Sequence, residues 1–214
     1  MPYQPKDRFY HRAQSEDFVA RSVYKLQEID RRFRLLGKGQ RLVDFGCAPG
    51  SWLQLLSESV GKKGAVIGYD LEPVARAFPK NVRTFIESID DLDAQRIRMD
   101  VATLVAELKK KPQPESVPPS FRIDGVLSDM APKLTGIRDA DQAKSVALVR
   151  IAYLLSEELV APAGFFVAKL FQGRDTDELV EQVKGGFREV KLLKPEATRD
   201  GSREIFIFAR NRRT

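Results

Sequence analysis

Lys169 stands inside GFFVAKLF, a run that is otherwise apolar. A lysine in such a strand is rarely buried without a partner or a task, although it can also sit at a strand end with its stem covered and its amine in water. Glu204, in SREIFIFAR, raises the same question near the end of the chain. Asp129 follows another apolar run in LSDMAP. Near the start, Val19, Val23, Leu26, Ile29 and Phe33 trace one apolar face of an amphipathic helix. Lys25 lies off that stripe and shares a polar face with Arg21, Glu28 and Arg32. Two amines and two carboxylates brought together could hold or move a proton. A buried pair of this kind is structural about as often as it is catalytic.

The strongest local signal is VDFGCAPGSW. An apolar strand runs into Asp44, then Gly46, Pro49 and Gly50, and a helix opens at Ser51. Glycines at a strand-to-helix turn let the backbone approach a ligand closely. The spacing is G-x-x-x-G rather than the G-x-G-x-x-G of dinucleotide binders, and Pro49 lacks a backbone donor that a pyrophosphate could use. Asp70 ends the next strand, 20 residues after Gly50. A carboxylate there can accept both hydroxyls of an adenosine ribose. Together these point to a nucleoside cofactor without phosphate, of which S-adenosylmethionine is the natural member. The alternative is an acidic strand end with no ligand. Asp129 falls at the same rim, since ligands of open α/β sheets lie beyond the carboxyl ends of the strands. Alone, it could equally be a helix N-cap.

Five apolar runs rich in Val, Ile and Phe read as buried parallel strands: 41–45, 65–69, 82–86, 123–128 and 164–170. Helical patterns at 51–60, 90–110, 140–160 and 176–185 alternate with them, which predicts an α/β fold around a parallel sheet. Two last strands, 189–193 and 204–209, have no helix between them and should pair as an antiparallel hairpin at the sheet's edge. KKKPQPESVPPS at 109–120 reads as a surface loop. We expect one domain over 1–214, a basic helical extension at 1–40 followed by a core at 41–214.

The 214 residues have an ordinary globular composition, with 43% hydrophobic and 31% charged residues. No uncharged apolar stretch is long enough to predict a transmembrane helix, and the N-terminus has no signal-peptide shape. The single cysteine, Cys47, precludes an internal disulfide and suggests a reducing cytoplasm. With one histidine, His11, no metal site is expected. The net charge of +6 is unevenly spread: residues 1–41 and 184–214 each carry +5, and the middle carries −4. Basic flanks suggest a polyanionic partner, or else solvated tails.

The set Lys25, Asp129, Lys169 and Glu204 resembles the Lys-Asp-Lys-Glu tetrad of the FtsJ/RrmJ-type RNA ribose 2′-O-methyltransferases. The segments ARSVYKL, VDFGCAPGSW, LSDMAP, VAKLFQG and SREIFIF match in the family's order over nearly the whole chain. The resemblance implies a Rossmann-like class I methyltransferase fold with seven strands, mostly parallel, the last antiparallel. It also implies S-adenosylmethionine as methyl donor and RNA as partner, most closely a uridine in the A-loop of large-subunit ribosomal RNA. Carried over, Gly50, Trp52, Asp70 and Asp129 contact the cofactor together with Gly46 of the glycine turn, and Lys169 is the general base. The acidic residue expected near the adenine falls on Ile89 in this register, with Asp90 as the nearest substitute. The phosphates would be met by Arg21, Arg31, Arg32 and Arg34, near Lys25 in sequence, and by Arg199 and Arg203, just before Glu204. A monomer is expected. The competing readings are methylation of transfer RNA or another RNA, a nicotinamide-dependent oxidoreductase, and a non-catalytic RNA-binding module.

Overall fold

The computed structural model describes residues 7–199 and 201–213. A helix α1 (Arg8–Ser15) and a helix α2 (Val23–Phe33) precede the sheet. Strands β1 (Arg41–Phe45), β2 (Ala65–Asp70) and β3 (Val82–Ile86) follow, with helix α3 (Ser51–Val60) between the first two. Then come α4 (Ala94–Leu108), β4 (Ile123–Ser128), α5 (Arg138–Leu159), β5 (Val160–Phe171), α6 (Thr176–Gly186), β6 (Phe187–Leu193) and β7 (Glu204–Arg212). The sheet order is β3-β2-β1-β4-β5-β7-β6. The first five strands are parallel, and β7 is antiparallel to both β5 and β6. The expected hairpin exists, with β6 at the edge and β7 inside it.

Strand alternation sends successive side chains to opposite faces of the sheet. Phe166, Ala168 and Leu170 of β5, with Ile205 and Ile207 of β7, pack under α4, α5 and α6. Phe165 and Val167, with Phe206 and Phe208, pack under α2 and α3. Lys169 and Glu204 continue this second series, so both fall on the α2 side.

Several boundaries differ from the sequence expectation: β5 opens at Val160 rather than Gly164, directly after α5, β6 opens at Phe187, and β7 runs on to Arg212. Helix α2 opens at Val23 rather than Val19. A turn with Asp17 at φ 59° precedes it, and Val19 lies on the surface with its N–H on Gln54 Oε1 at 2.9 Å. The 90–110 helix begins late because Ile89–Asp91 is a 3-10 turn, and Asp93 provides the cap, its Oδ1 accepting the Arg96 N–H at 2.7 Å. Helix α1 was not anticipated. Of its side chains only Ala13 is buried, so it shows no apolar stripe. Its start is set by Asp7, which accepts the N–H groups of Phe9 and Tyr10 at 3.1 and 3.0 Å.

Candidate active site

The β1–α3 turn requires its glycines. Gly46 has φ +74°, and a Cβ there would lie 2.7 Å from the Met130 backbone nitrogen, so the turn and the β4–α5 connection touch backbone to backbone. Gly50, at φ +110°, caps α3 and faces the Phe78 ring. Beside this turn a cleft of about 390 Å³ opens at the carboxyl ends of β1, β2 and β4. Gly46, Asp70, Asp90, Asp129 and Lys169 all line it, together with Ser22 and Glu87.

Asp70 is fixed from two sides. Its Oδ2 accepts the Ala48 N–H at 2.8 Å and its Oδ1 accepts the Glu72 N–H at 2.9 Å. Each carboxylate oxygen keeps a further acceptor site. Lys169, 9% exposed, crosses to the end of β4. Its ammonium donates to the Asp129 carbonyl oxygen at 2.5 Å and lies 2.9 Å from Asp129 Oδ1. The second contact is an ion pair off the hydrogen-bonding direction, so Oδ1 stays a buried acceptor without a hydrogen bond.

The other half of the tetrad forms its own pair. Lys25 on α2 donates to Glu204 Oε1 at the start of β7. Phe206 joins the halves: it is the cross-strand partner of Lys169, and the Lys25 ammonium sits 5.9 Å from its ring centroid. All four residues therefore share one rim of one sheet face, as two ion pairs beside the cleft.

Trp52 and Gly50 do not line the cleft. Trp52 is buried behind it, its indole N–H donating to the Ser22 carbonyl at 3.0 Å and its ring packing 6.0 Å from Phe206. It anchors α2, the helix that carries Lys25. A feature that the sequence reading did not weigh is Asp44, fully buried two residues before Gly46 with neither carboxylate oxygen hydrogen-bonded. Burial, reinforced by the charges of Asp129 and Asp70, pushes its carboxyl well above the usual range, disfavouring the carboxylate. Burial likewise raises the Cys47 thiol, which leaves it inert.

The basic residues divide. Arg31 and Arg32 are exposed on α2. Arg203 reaches the Arg138 carbonyl at 3.4 Å, and Arg199 lies in the same β6–β7 connection. Arg21 is a structural tie. It pairs with Asp7, donates to the Ala197 carbonyl and lies over the Phe9 ring, joining the N-terminal segment to that connection. Arg34, expected near the tetrad, is at the far end of the sheet. It caps α2 in the left-handed region and lines a different cavity with Gln40, Asp124 and Arg210. Arg31 and Arg32 border the β6–β7 connection, beside Glu196 and Lys194 respectively, whereas Arg34, past the last turn of α2, turns to the other end of the strands.

The family model for FtsJ-like methyltransferases matches residues 18–212. The chain belongs to this family. It is 40% identical over 208 residues to the Ribosomal RNA large subunit methyltransferase E of Syntrophobacter fumaroxidans, covering 97% of this chain and 96% of that one. It is 39% identical to the protein of the same name from Bdellovibrio bacteriovorus, covering 97% of each. A crystal structure from Plasmodium falciparum, assigned as a ribosomal RNA methyltransferase, aligns with a TM-score of 0.72 at 27% identity, covering 91% of this chain and 98% of that one. Aeropyrum pernix fibrillarin, solved with S-adenosyl-L-methionine bound, shares the fold at 15% identity and a TM-score of 0.57, covering 88% of this chain and 76% of that one. The expected methyltransferase family and the α/β fold with an antiparallel last strand hold for this FtsJ-like chain.

Proposed function

We propose that the protein transfers a methyl group from S-adenosylmethionine to a ribose 2′-hydroxyl of ribosomal RNA, that of a uridine in the A-loop of the large-subunit RNA. One observation carries the choice of donor. Among the described residues the cleft is lined by four carboxylates, Asp70, Glu87, Asp90 and Asp129, against one cation, Lys169. A cationic cofactor is drawn into such a site, and the pyrophosphate of a nicotinamide cofactor is repelled. Asp70 would take the ribose hydroxyls, Asp90 the adenine side, and Gly46 would let the backbone come close. Gly50 and Trp52 support this site from behind.

When bound, S-adenosylmethionine supplies an electrophilic methyl on a positively charged sulfur. This chain's residues position the hydroxyl and receive its proton. Lys169 is the acceptor, aimed by Asp129. Glu204 holds the Lys25 amine at the same rim. Arg31, Arg32, Arg199 and Arg203 meet phosphate, and Arg21 orders the segment that presents them. The relatives' names favour ribosomal over transfer RNA. We place the protein in the cytoplasm as a monomer, one unit from its helical extension through its core. The single, buried cysteine supports the compartment. The test is methyl transfer from labelled S-adenosylmethionine to large-subunit RNA, with the labelled nucleotide mapped. Transfer to one ribose supports the reading, and transfer only to transfer RNA overturns the substrate.

A further inference from the structure

The β4–α5 connection leaves Asp129 and turns at residues 131–138, with two large aliphatic side chains in water. Leu134 is 65% exposed and Ile137 is 66% exposed. Scattered exposed aliphatics need no explanation. These two stand at either end of one four-residue turn, and that turn is fixed. Asp141, buried at the start of α5, accepts the Thr135 N–H and hydroxyl, each at 2.7 Å, and the Gly136 N–H at 3.1 Å. The Ile137 N–H donates to the Thr135 hydroxyl at 3.3 Å. An ordered turn that keeps apolar side chains in water is built to meet something outside the molecule.

Its surroundings say what. Leu134 is five residues beyond Asp129, so it lies within ~17 Å of the proton-handling pair even fully extended. Lys133 and Arg138 flank the two aliphatics, and Arg203 reaches the Arg138 carbonyl from the β6–β7 side. Apolar tips between cations, beside a site that must admit one ribose, match a nucleic-acid strand with its phosphates on the cations and its bases on the tips. Apolar side chains inserted at base steps unstack neighbouring nucleotides. Sequence-specific RNA recognition works on bases splayed out of the stack.

We propose that the 131–138 turn is a wedge: Leu134 and Ile137 enter the base stack beside the target nucleotide and hold its ribose out toward Lys169. This rests on the RNA-methylation reading. It adds a discrimination between structured and unstructured RNA that the cleft alone does not supply.

The test compares wild type with the double variant Leu134→Ser, Ile137→Ser on two RNAs, a folded large-subunit fragment and a short single-stranded oligonucleotide of the same target sequence. Leu154→Ser, Leu192→Ser, which alters two exposed leucines on α5 and β6, is the control. On the folded fragment the wedge variant should lose about tenfold or more in kcat/KM, the worth of unstacking one base step. On the oligonucleotide it should equal wild type, and its S-adenosylmethionine affinity by calorimetry should be unchanged. A 2-aminopurine next to the target in the folded fragment should brighten with wild type and the control but not with the wedge variant. Equal activity on the folded fragment, or equal loss on both RNAs, overturns the wedge while leaving ribose methylation intact. A wild-type protein that methylates neither RNA overturns both. Retained RNA activity with loss of a protein contact would reassign the turn to a protein partner and overturn the proposal.

Discussion

Lys169 on β5 reaches the neighbouring strand's end, where its ammonium hydrogen-bonds the Asp129 carbonyl at 2.5 Å and lies 2.9 Å from the Asp129 carboxylate. One amine is thus aimed by a single residue through both backbone and side chain. Lys169→Ala should abolish methyl transfer while cofactor binding persists. Lys169→Arg should be nearly as inactive, because a guanidinium does not deprotonate at working pH. Glu204→Gln should cost less, because Glu204 contacts Lys25 rather than Lys169. Single-turnover assays on the three variants check the order. An active Lys169→Arg enzyme would move the base elsewhere.

Asp70 accepts two backbone N–H groups and still faces the cleft. Asp70→Ala should weaken S-adenosylmethionine binding by ~1–3 kcal/mol, the usual worth of hydrogen bonds to a charged group. Isothermal calorimetry reads this directly. Unchanged affinity removes Asp70 from the site.

Asp44 gives a pH dependence with a definite sign. The unfolded chain releases this proton near pH ~3.9. The folded chain keeps it to higher pH, because burial and then Asp129 and Asp70 disfavour the carboxylate. Over that window the folded state binds more protons than the unfolded state, so the stability Asp44 contributes is full below the unfolded value and is lost as pH rises toward the folded one. Asp44→Asn, uncharged throughout, should gain thermal stability relative to wild type as pH rises above the unfolded value of ~3.9 and lose that advantage at the acidic end. A melting-temperature difference that is flat across this range would mean Asp44 is ionised in the fold.

Arg31 and Arg32 are exposed on α2, whereas Arg34 lies at the opposite end of the sheet. Charge reversal of Arg31 and Arg32 should weaken RNA binding and flatten its salt dependence, with cofactor affinity intact. Arg34→Glu should leave the salt slope unchanged. Filter binding across a salt series separates them, and an equal effect of Arg34→Glu would extend the RNA path along the whole helix.

Hydrophobic periodicity made the central strands legible, because β1, β2 and β4 are short, buried, mostly apolar runs. The bounds read for β1, β3 and β4 match the structure residue for residue. The tetrad was legible because Lys169 and Glu204 break apolar runs, and a charge in a covered strand is conspicuous. What escaped had no periodic or chemical contrast. Helix α1 buries only Ala13 of its side chains, so only its cap, Asp7, could have revealed it. Trp52 follows the glycine turn as a cofactor contact would, yet its side chain points to the back of that turn, against Ser22. Arg34 shares a basic segment with Lys25, but it is the left-handed cap of α2 and turns toward Gln40 and Asp124, which its sequence position does not reveal. Asp44 reads as part of a strand-to-turn motif. Its isolation is a property of packing, because its face of the sheet is sealed by α2 and α3.

The central claim, methylation at a ribose 2′-oxygen with Lys169 as proton acceptor, is tested most directly by alkaline hydrolysis of large-subunit RNA labelled from S-adenosylmethionine. A 2′-O-methyl group blocks cleavage at its own linkage. The account predicts that the label appears in one alkali-resistant dinucleotide with wild type and is absent with Lys169→Ala, which still binds cofactor. Label in alkali-released mononucleotides would place the methyl on a base, and resistant label from Lys169→Ala would remove Lys169 from the chemistry.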